Sequence, residues 1–260
     1  YLNNLGQKLT IFDAVDNWLS HSSYQKYKQR LTDAYNIFKN QADVIFTVSQ
    51  KLVHFFDDQP NVYWIPNGVD YKHYNQKFPL VNRDVADVPR PIIGYIGVIQ
   101  DRVDLKLIQH LAKENPKKSI ALVGPVWSEQ DELRKSVNDL PNIYFLGYKA
   151  YSEAPMYIQQ FDIGIIPHQQ AEFSSSTNPM KMYEYLACGK PVVATKNSGT
   201  DNIDDMIAVA DNYEDFNNKL NNLLKADSVE QQQARQELAK KHSWISVVDK
   251  MMDLINKKLS

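Results

Sequence analysis

Lys181 and Glu184 place an ammonium and a carboxylate three residues apart, which on a helix puts them on one face. The residues around them are punctuated. Thr177 or Asn178 can cap a helix, and Pro179 suits its first position, where a missing N–H costs nothing. Gly189 can take the left-handed conformation after the last turn, and Pro191 stops the helix from continuing. Val192-Val193-Ala194-Thr195 then reads as a short buried strand. Helix-start N–H groups and an ammonium suit a phosphate, while a neighbouring carboxylate suits sugar hydroxyls. Spacing alone fits an amphipathic helix with solvated charges equally well.

The wider pattern separates these readings. Residues 178–193 resemble the donor-sugar motif of GT-B glycosyltransferases, in the large retaining group known as group 1 or family 4. That motif writes Glu, seven residues, Glu, then Gly-x-Pro-Val-Val. Glu184 and Gly189-Lys190-Pro191-Val192-Val193 match its second half, while Ser176 stands where the first Glu falls. A branch of the family writes Pro-Leu-Lys-x-x-Glu-Tyr-Leu-Ala instead. Pro179-Met180-Lys181-Met182-Tyr183-Glu184-Tyr185-Leu186-Ala187 follows that version. The resemblance implies that Glu184 accepts hydrogen bonds from the donor ribose and that Lys181 stabilises charge on the leaving diphosphate. It also implies contacts from Ser176, Thr177, Asn178 and Pro179 to phosphate or sugar. UDP is the family's commonest nucleotide and GDP the next. The acceptor is a glycan or a lipid-linked sugar, transfer proceeds with retention, and surface polysaccharide assembly is the usual setting.

Such a motif needs a sheet to stand on. Strands expected at 91–96, 119–123, 143–146, 161–167, 192–195 and 207–209 alternate with helices at 103–113, 129–138, 151–160, 213–224, 229–241 and 244–258. That alternation means an α/β fold with a doubly wound parallel sheet, Rossmann-like, whose ligands lie beyond the carboxyl ends of the strands. The strand ends offer further candidates. Gly97 permits close approach of backbone to a ligand, and Arg102 can neutralise a diphosphate. No Gly-x-Gly-x-x-Gly fingerprint occurs there, and Asp104 matches the branch that writes Asp at the following helix start. Tyr148 and Lys149 follow the third strand, where the family lies against the nucleotide base. His168 follows the fourth, and a serine-rich loop at 169–177 has the hydroxyls of a phosphate cradle.

The chain before this sheet is shorter than a domain. Strands at 8–13, 43–48 and 62–65 flank helices near 24–40 and at Leu52, Val53 and Phe56, and Asp13 closes the first strand. Pro66-Asn67-Gly68-Val69-Asp70 is similar to the turn at which GT-B chains leave their amino-terminal domain. The expected layout is therefore a remnant of that domain at 1–70, with part of it absent, and an irregular linker at 71–90. A nucleotide-sugar-binding domain at 91–241 and a helix at 242–260 complete it. Trp244 would anchor that last helix, which crosses back to brace the amino-terminal part.

Composition excludes other classes. The 260 residues are 43% hydrophobic and 23% charged, with a net charge of −2, which gives no bulk attraction to nucleic acid. The single Cys188 forms no internal disulfide, and no apolar run reaches the roughly 18 residues that span a bilayer. A cytoplasmic protein is expected, with the inner membrane face as a peripheral station. No Asp-x-Asp pair occurs and the histidines lack ligand spacing, so neither metal nor other cofactor is expected. Two other readings share these residues. One is a module that binds a nucleotide sugar without transferring it, which Ser176 and the short start favour. The other is a sugar-nucleotide 2-epimerase of the same fold, against which Lys181, Glu184 and Gly189-Lys190-Pro191 count.

Overall fold

The computed structural model of the chain describes residues 6–78, 83–127, 135, 137, 139–200 and 206–260. Two parallel sheets organise them. The smaller has the order β1 (Ile11–Ala14), β2 (Val44–Thr47), β3 (Val62–Trp64). A 3-10 turn at Ser22–Tyr27 and helix α1 (Lys28–Gln41) join β1 to β2, and α2 (Gln50–Phe55) joins β2 to β3. β2 is buried along its whole length, as a continuous apolar run in a central parallel strand requires.

The segment at 71–90 is not the irregular linker that its prolines and mixed charges suggest. It holds two short helices, α3 (Tyr71–Asn75) and α4 (Arg83–Ala86), and Tyr74, Val85 and Val88 are buried in the core of the larger domain. Asp70 caps α3 by accepting the His73 N–H at 3.1 Å. Three buried side chains spread over fifteen residues leave no periodicity to read, although they fix the segment in place.

The larger sheet has six strands in the order β6-β5-β4-β7-β8-β9. They are β4 (Ile92–Ile96), β5 (Ser119–Val123), β6 (Ile143–Gly147), β7 (Ile163–Ile166), β8 (Val192–Thr195) and β9 (Ile207–Ala210). The chain starts in the middle at β4, builds outward to β6, then returns beside β4 and builds the other way. The reversal between β4 and β7 opens a crevice at their carboxyl ends.

Alternate strand residues face opposite layers. Ile92, Val192 and Ala194 join one core with Tyr157 and Ile158 of α6 (Ala154–Gln160). Ile93 and Val193 join the other with α5 (Leu105–Glu114). Between β7 and β8 lie α7 (Glu172–Ser176) and α8 (Met180–Ala187). The chain ends with α9 (Tyr213–Ala226), α10 (Val229–Lys241) and α11 (Trp244–Leu259). The helix expected at 129–138 lies largely outside the described residues. No described helix is long and apolar enough to cross a membrane.

Trp244 opens α11 against the turn at 66–70. A Cβ on Gly68 would stand 2.9 Å from its ring, and Val69 exchanges hydrogen bonds with His242 and Trp244. Beyond that point Val247 of α11 is buried, while Ile245, Val248 and Met252 face outward, Ile245 at 66% exposure.

Candidate functional site

The crevice between β4 and β7 is built first from backbone. Gly97 leaves β4 at φ +138°, and a Cβ there would lie 3.3 Å from Lys181 Cε and 3.2 Å from the Tyr95 hydroxyl. Glycine is thus what lets the strand end and the lysine meet. Across the crevice, α8 begins at Met180 with Pro179 as its N-cap, so the helix starts one position later than the sequence suggests, and no side chain caps it. Asn178 is engaged elsewhere. Its Oδ1 accepts the Asn67 N–H at 2.9 Å, and its carbonyl accepts the Asn67 amide at 2.6 Å. The Met182 N–H bonds back to the Pro179 carbonyl at 3.1 Å, while no side chain caps the Met180 and Lys181 N–H groups. Tyr185 locks this helix to the sheet, its buried hydroxyl accepting the Ile96 N–H at 3.0 Å.

Gly97, Arg102, Lys149, Thr177, Asn178, Pro179, Lys181 and Glu184 line one cleft of 540 Å³. Lys181 and Glu184 are both half-buried. Burial and the Arg102 guanidinium lower the Lys181 pKa to about 7, with Glu184 opposing. The ammonium lies 5.3 Å from the centre of the Tyr95 ring, a cation–π distance. Burial raises the Glu184 pKa, while Lys181 and the neighbouring Tyr74 hydroxyl pull it down. The Arg102 Nε is buried without a hydrogen-bond partner. The cleft thus sets the Lys181 and Arg102 cations beside the Glu184 carboxylate.

Other predicted residues sit elsewhere. Tyr148 is 73% exposed and outside the cleft, so it does not form its wall. Lys149 reaches the cleft, but its ammonium is held by Asp84 at 2.5 Å. His168 is fully buried in the wall of a separate cavity, and burial with Lys181 and Arg102 nearby keeps its pKa well below the usual value. The serine loop folds as α7 and spends its hydroxyls on backbone. Ser176 Oγ donates to the Phe173 carbonyl at 2.9 Å, and Thr177 Oγ1 to that of Ser174 at 2.8 Å. The short helix and its C-cap satisfy those hydroxyls within the chain. Asp104 caps α5 and accepts the Tyr213 hydroxyl at 2.7 Å.

Three cleft residues escaped the sequence reading. Asp16 lies beyond β1, and burial pushes its carboxyl up to about 6, with Arg102 opposing. Its place past a strand end was the available signal. Tyr74 arrives on α3, which packs against α8 so that Asn75 donates to the Ala187 carbonyl at 3.0 Å. Asn67 comes from the 66–70 turn, which was singled out only as an exit from a domain. Among the described residues, no three His, Cys, Asp or Glu side chains converge as a metal site.

Anabaena HepE, solved in complex with UDP and glucose, is 18% identical with a TM-score of 0.70, over 95% of this chain and 71% of that one. Sucrose-phosphate synthase of Thermosynechococcus elongatus is 16% identical with a TM-score of 0.78, over 98% and 69%. These likenesses show the fold, which is of the GT-B type. In sequence, the chain is 32% identical over 140 residues to TuaH of Bacillus subtilis (strain 168), named as a candidate teichuronic acid biosynthesis glycosyltransferase. The match takes in 54% of this chain, which spans only 35% of that curated relative. The family described as glycosyl transferases group 1 matches residues 90–226, more than half of the chain and all of the cleft wall from Gly97 to Glu184. The chain belongs to that family.

Proposed function

We propose that this chain carries the donor site of a glycosyltransferase, which moves a sugar from a UDP-sugar to a glycan or lipid-linked acceptor with retention. One observation supports this above the others. Lys181, Glu184 and the uncapped start of α8 face one cleft at the point where the strand order reverses. A diphosphate placed against the α8 terminus meets the Lys181 ammonium, the Arg102 guanidinium and the positive end of the helix dipole. As the bond to the sugar breaks, negative charge grows on that diphosphate, where fixed positive groups lower the barrier most. Those groups supply the compensation without a divalent ion. Glu184, beside Tyr74 in the cleft wall, accepts hydrogen bonds from the ribose hydroxyls. The UDP and glucose in the HepE complex and the name of the Bacillus relative favour the same reading.

Calorimetric titration of UDP, UDP-glucose and GDP in EDTA tests it on the full-length protein. UDP binds the parent, and Glu184→Ala weakens it by about 1–3 kcal/mol, the cost of losing a hydrogen bond to a buried charge. Undiminished UDP affinity in a folded Glu184→Ala variant, or none in the parent, defeats the reading.

A further inference from the structure

The β6 side of the donor cleft carries a side-chain network of its own. Lys149 follows β6 and lines the cleft, with its side chain only 17% exposed. Its ammonium donates to the Asp84 carboxylate at 2.5 Å and lies 5.0 Å from the centre of the Tyr157 ring. The Tyr157 hydroxyl donates to both oxygens of the same carboxylate, at 2.8 and 3.0 Å. Each partner is anchored from behind. Tyr157 is fully buried on α6, and Val85 and Val88, which flank Asp84 in the chain, sit in the core. Burial opposes both charges, yet the hydrogen bonds between them win, so the Asp84 pKa is lowered and that of Lys149 raised. The ammonium is therefore charged and held before any ligand arrives.

The sheet sets how far this group stands from the diphosphate. β6 is two places from β4, so its end lies roughly 10 Å from that of β4, at about 4.8 Å per strand. A nucleotide whose diphosphate rests at the α8 start and whose ribose meets Glu184 brings its base to the β6 side. An ammonium has three N–H donors and no acceptor. The ligand atom it meets must then be an acceptor, which the 4-oxo group of uracil is and the 4-amino group of cytosine is not. We infer that Asp84 is a positioning residue for base selection: it aims the Lys149 ammonium so that the cleft takes a 4-oxo pyrimidine over a 4-amino one. This rests on the donor reading above and adds a residue that acts through another. Asp84 lies before the stretch that matches the family. Without its carboxylate the lysine has to be ordered at each binding event. Its flexible stem can then turn toward the diphosphate, which every nucleoside diphosphate offers equally.

Calorimetric titration of the full-length protein with UDP and CDP tests the assignment, since the two ligands differ only at the base edge. The parent binds UDP at least about tenfold tighter than CDP, the effect of one hydrogen bond to a charged group. Asp84→Asn keeps an acceptor for the Tyr157 hydroxyl and brings that ratio within about threefold, through weaker UDP binding. Lys149→Met does the same and keeps the test open should Asp84→Asn unfold. The double variant loses no further selectivity, as expected of two residues acting through one contact. A parent ratio near one overturns the inference and leaves the donor reading in place. So does a folded single variant that weakens UDP and CDP alike with the ratio preserved, since a merely structural Asp84 would behave that way. If UDP does not bind the parent at all, the donor reading fails and this inference with it.

Discussion

Lys181 is a half-buried ammonium whose pKa of about 7 leaves it only partly charged at neutral pH. A bound diphosphate restores the proton, so binding above pH 7 takes one up. The sign follows: UDP-glucose affinity falls as pH rises from 7 to 9, by at most about tenfold per unit. Calorimetry in buffers of different ionisation enthalpy measures the uptake directly, and Lys181→Met removes both the uptake and the slope. Asp16 works in the opposite sense. Its pKa of about 6 keeps it mostly negative at pH 7.5, facing the same anion. Asp16→Asn therefore tightens UDP-glucose binding a few-fold at pH 7.5, and the gain disappears at pH 5, where the native residue is already neutral. Equal gains at both pH values show that Asp16 acts on the site through shape alone.

The strand end at Gly97 and the start of α8 act as a pair of elements. Their contact depends on backbone at φ +138°, and on space that a methyl group would take from Tyr95 and Lys181. Gly97→Ala is expected to destabilise the fold by about 1–3 kcal/mol, seen as a lower urea midpoint at unchanged slope. It also displaces Lys181, so UDP affinity falls in molecules that remain folded. A variant with parental stability would mean that β4 can relax away from α8, and the cleft wall would then be adaptable. The short helix α3 belongs to the same scale. It was legible only as punctuation, since Tyr74 is a single buried side chain without a repeating partner, yet it brings a hydroxyl into the cleft wall with Glu184.

At the scale of the molecule, the cleft exists because the two sheets are pinned together. Asn67 and Asn178 exchange two hydrogen bonds, Ser49 Oγ donates to the Ser176 carbonyl at 2.7 Å, and Lys51 donates to Ser175 Oγ at 2.6 Å. Asn178→Ala leaves the Asn67 backbone N–H without its side-chain acceptor at a partly buried point, at a cost of about 1–3 kcal/mol. Faster hydrogen exchange in the 66–70 turn, with β4 and β5 unchanged, is the expected signature. Global loosening of both sheets would instead make Asn178 a core residue of the larger domain.

The residues from Pro179 to Val193 carried most of what could be read in one dimension. Their charges, caps and strand propensities are local, and local chemistry is what a sequence displays. The parallel sheet was legible for the same reason, since each of its strands is a short apolar run between helices of regular period. What tertiary structure decided is who faces whom. The serines at 174–176 turned inward because α7 formed, His168 went into a wall, and Asp16 and Tyr74 came into the cleft from segments far from the motif in sequence. Such meetings depend on sheet order and on the packing of α3 against α8, and burial then sets the charges that spacing alone left open.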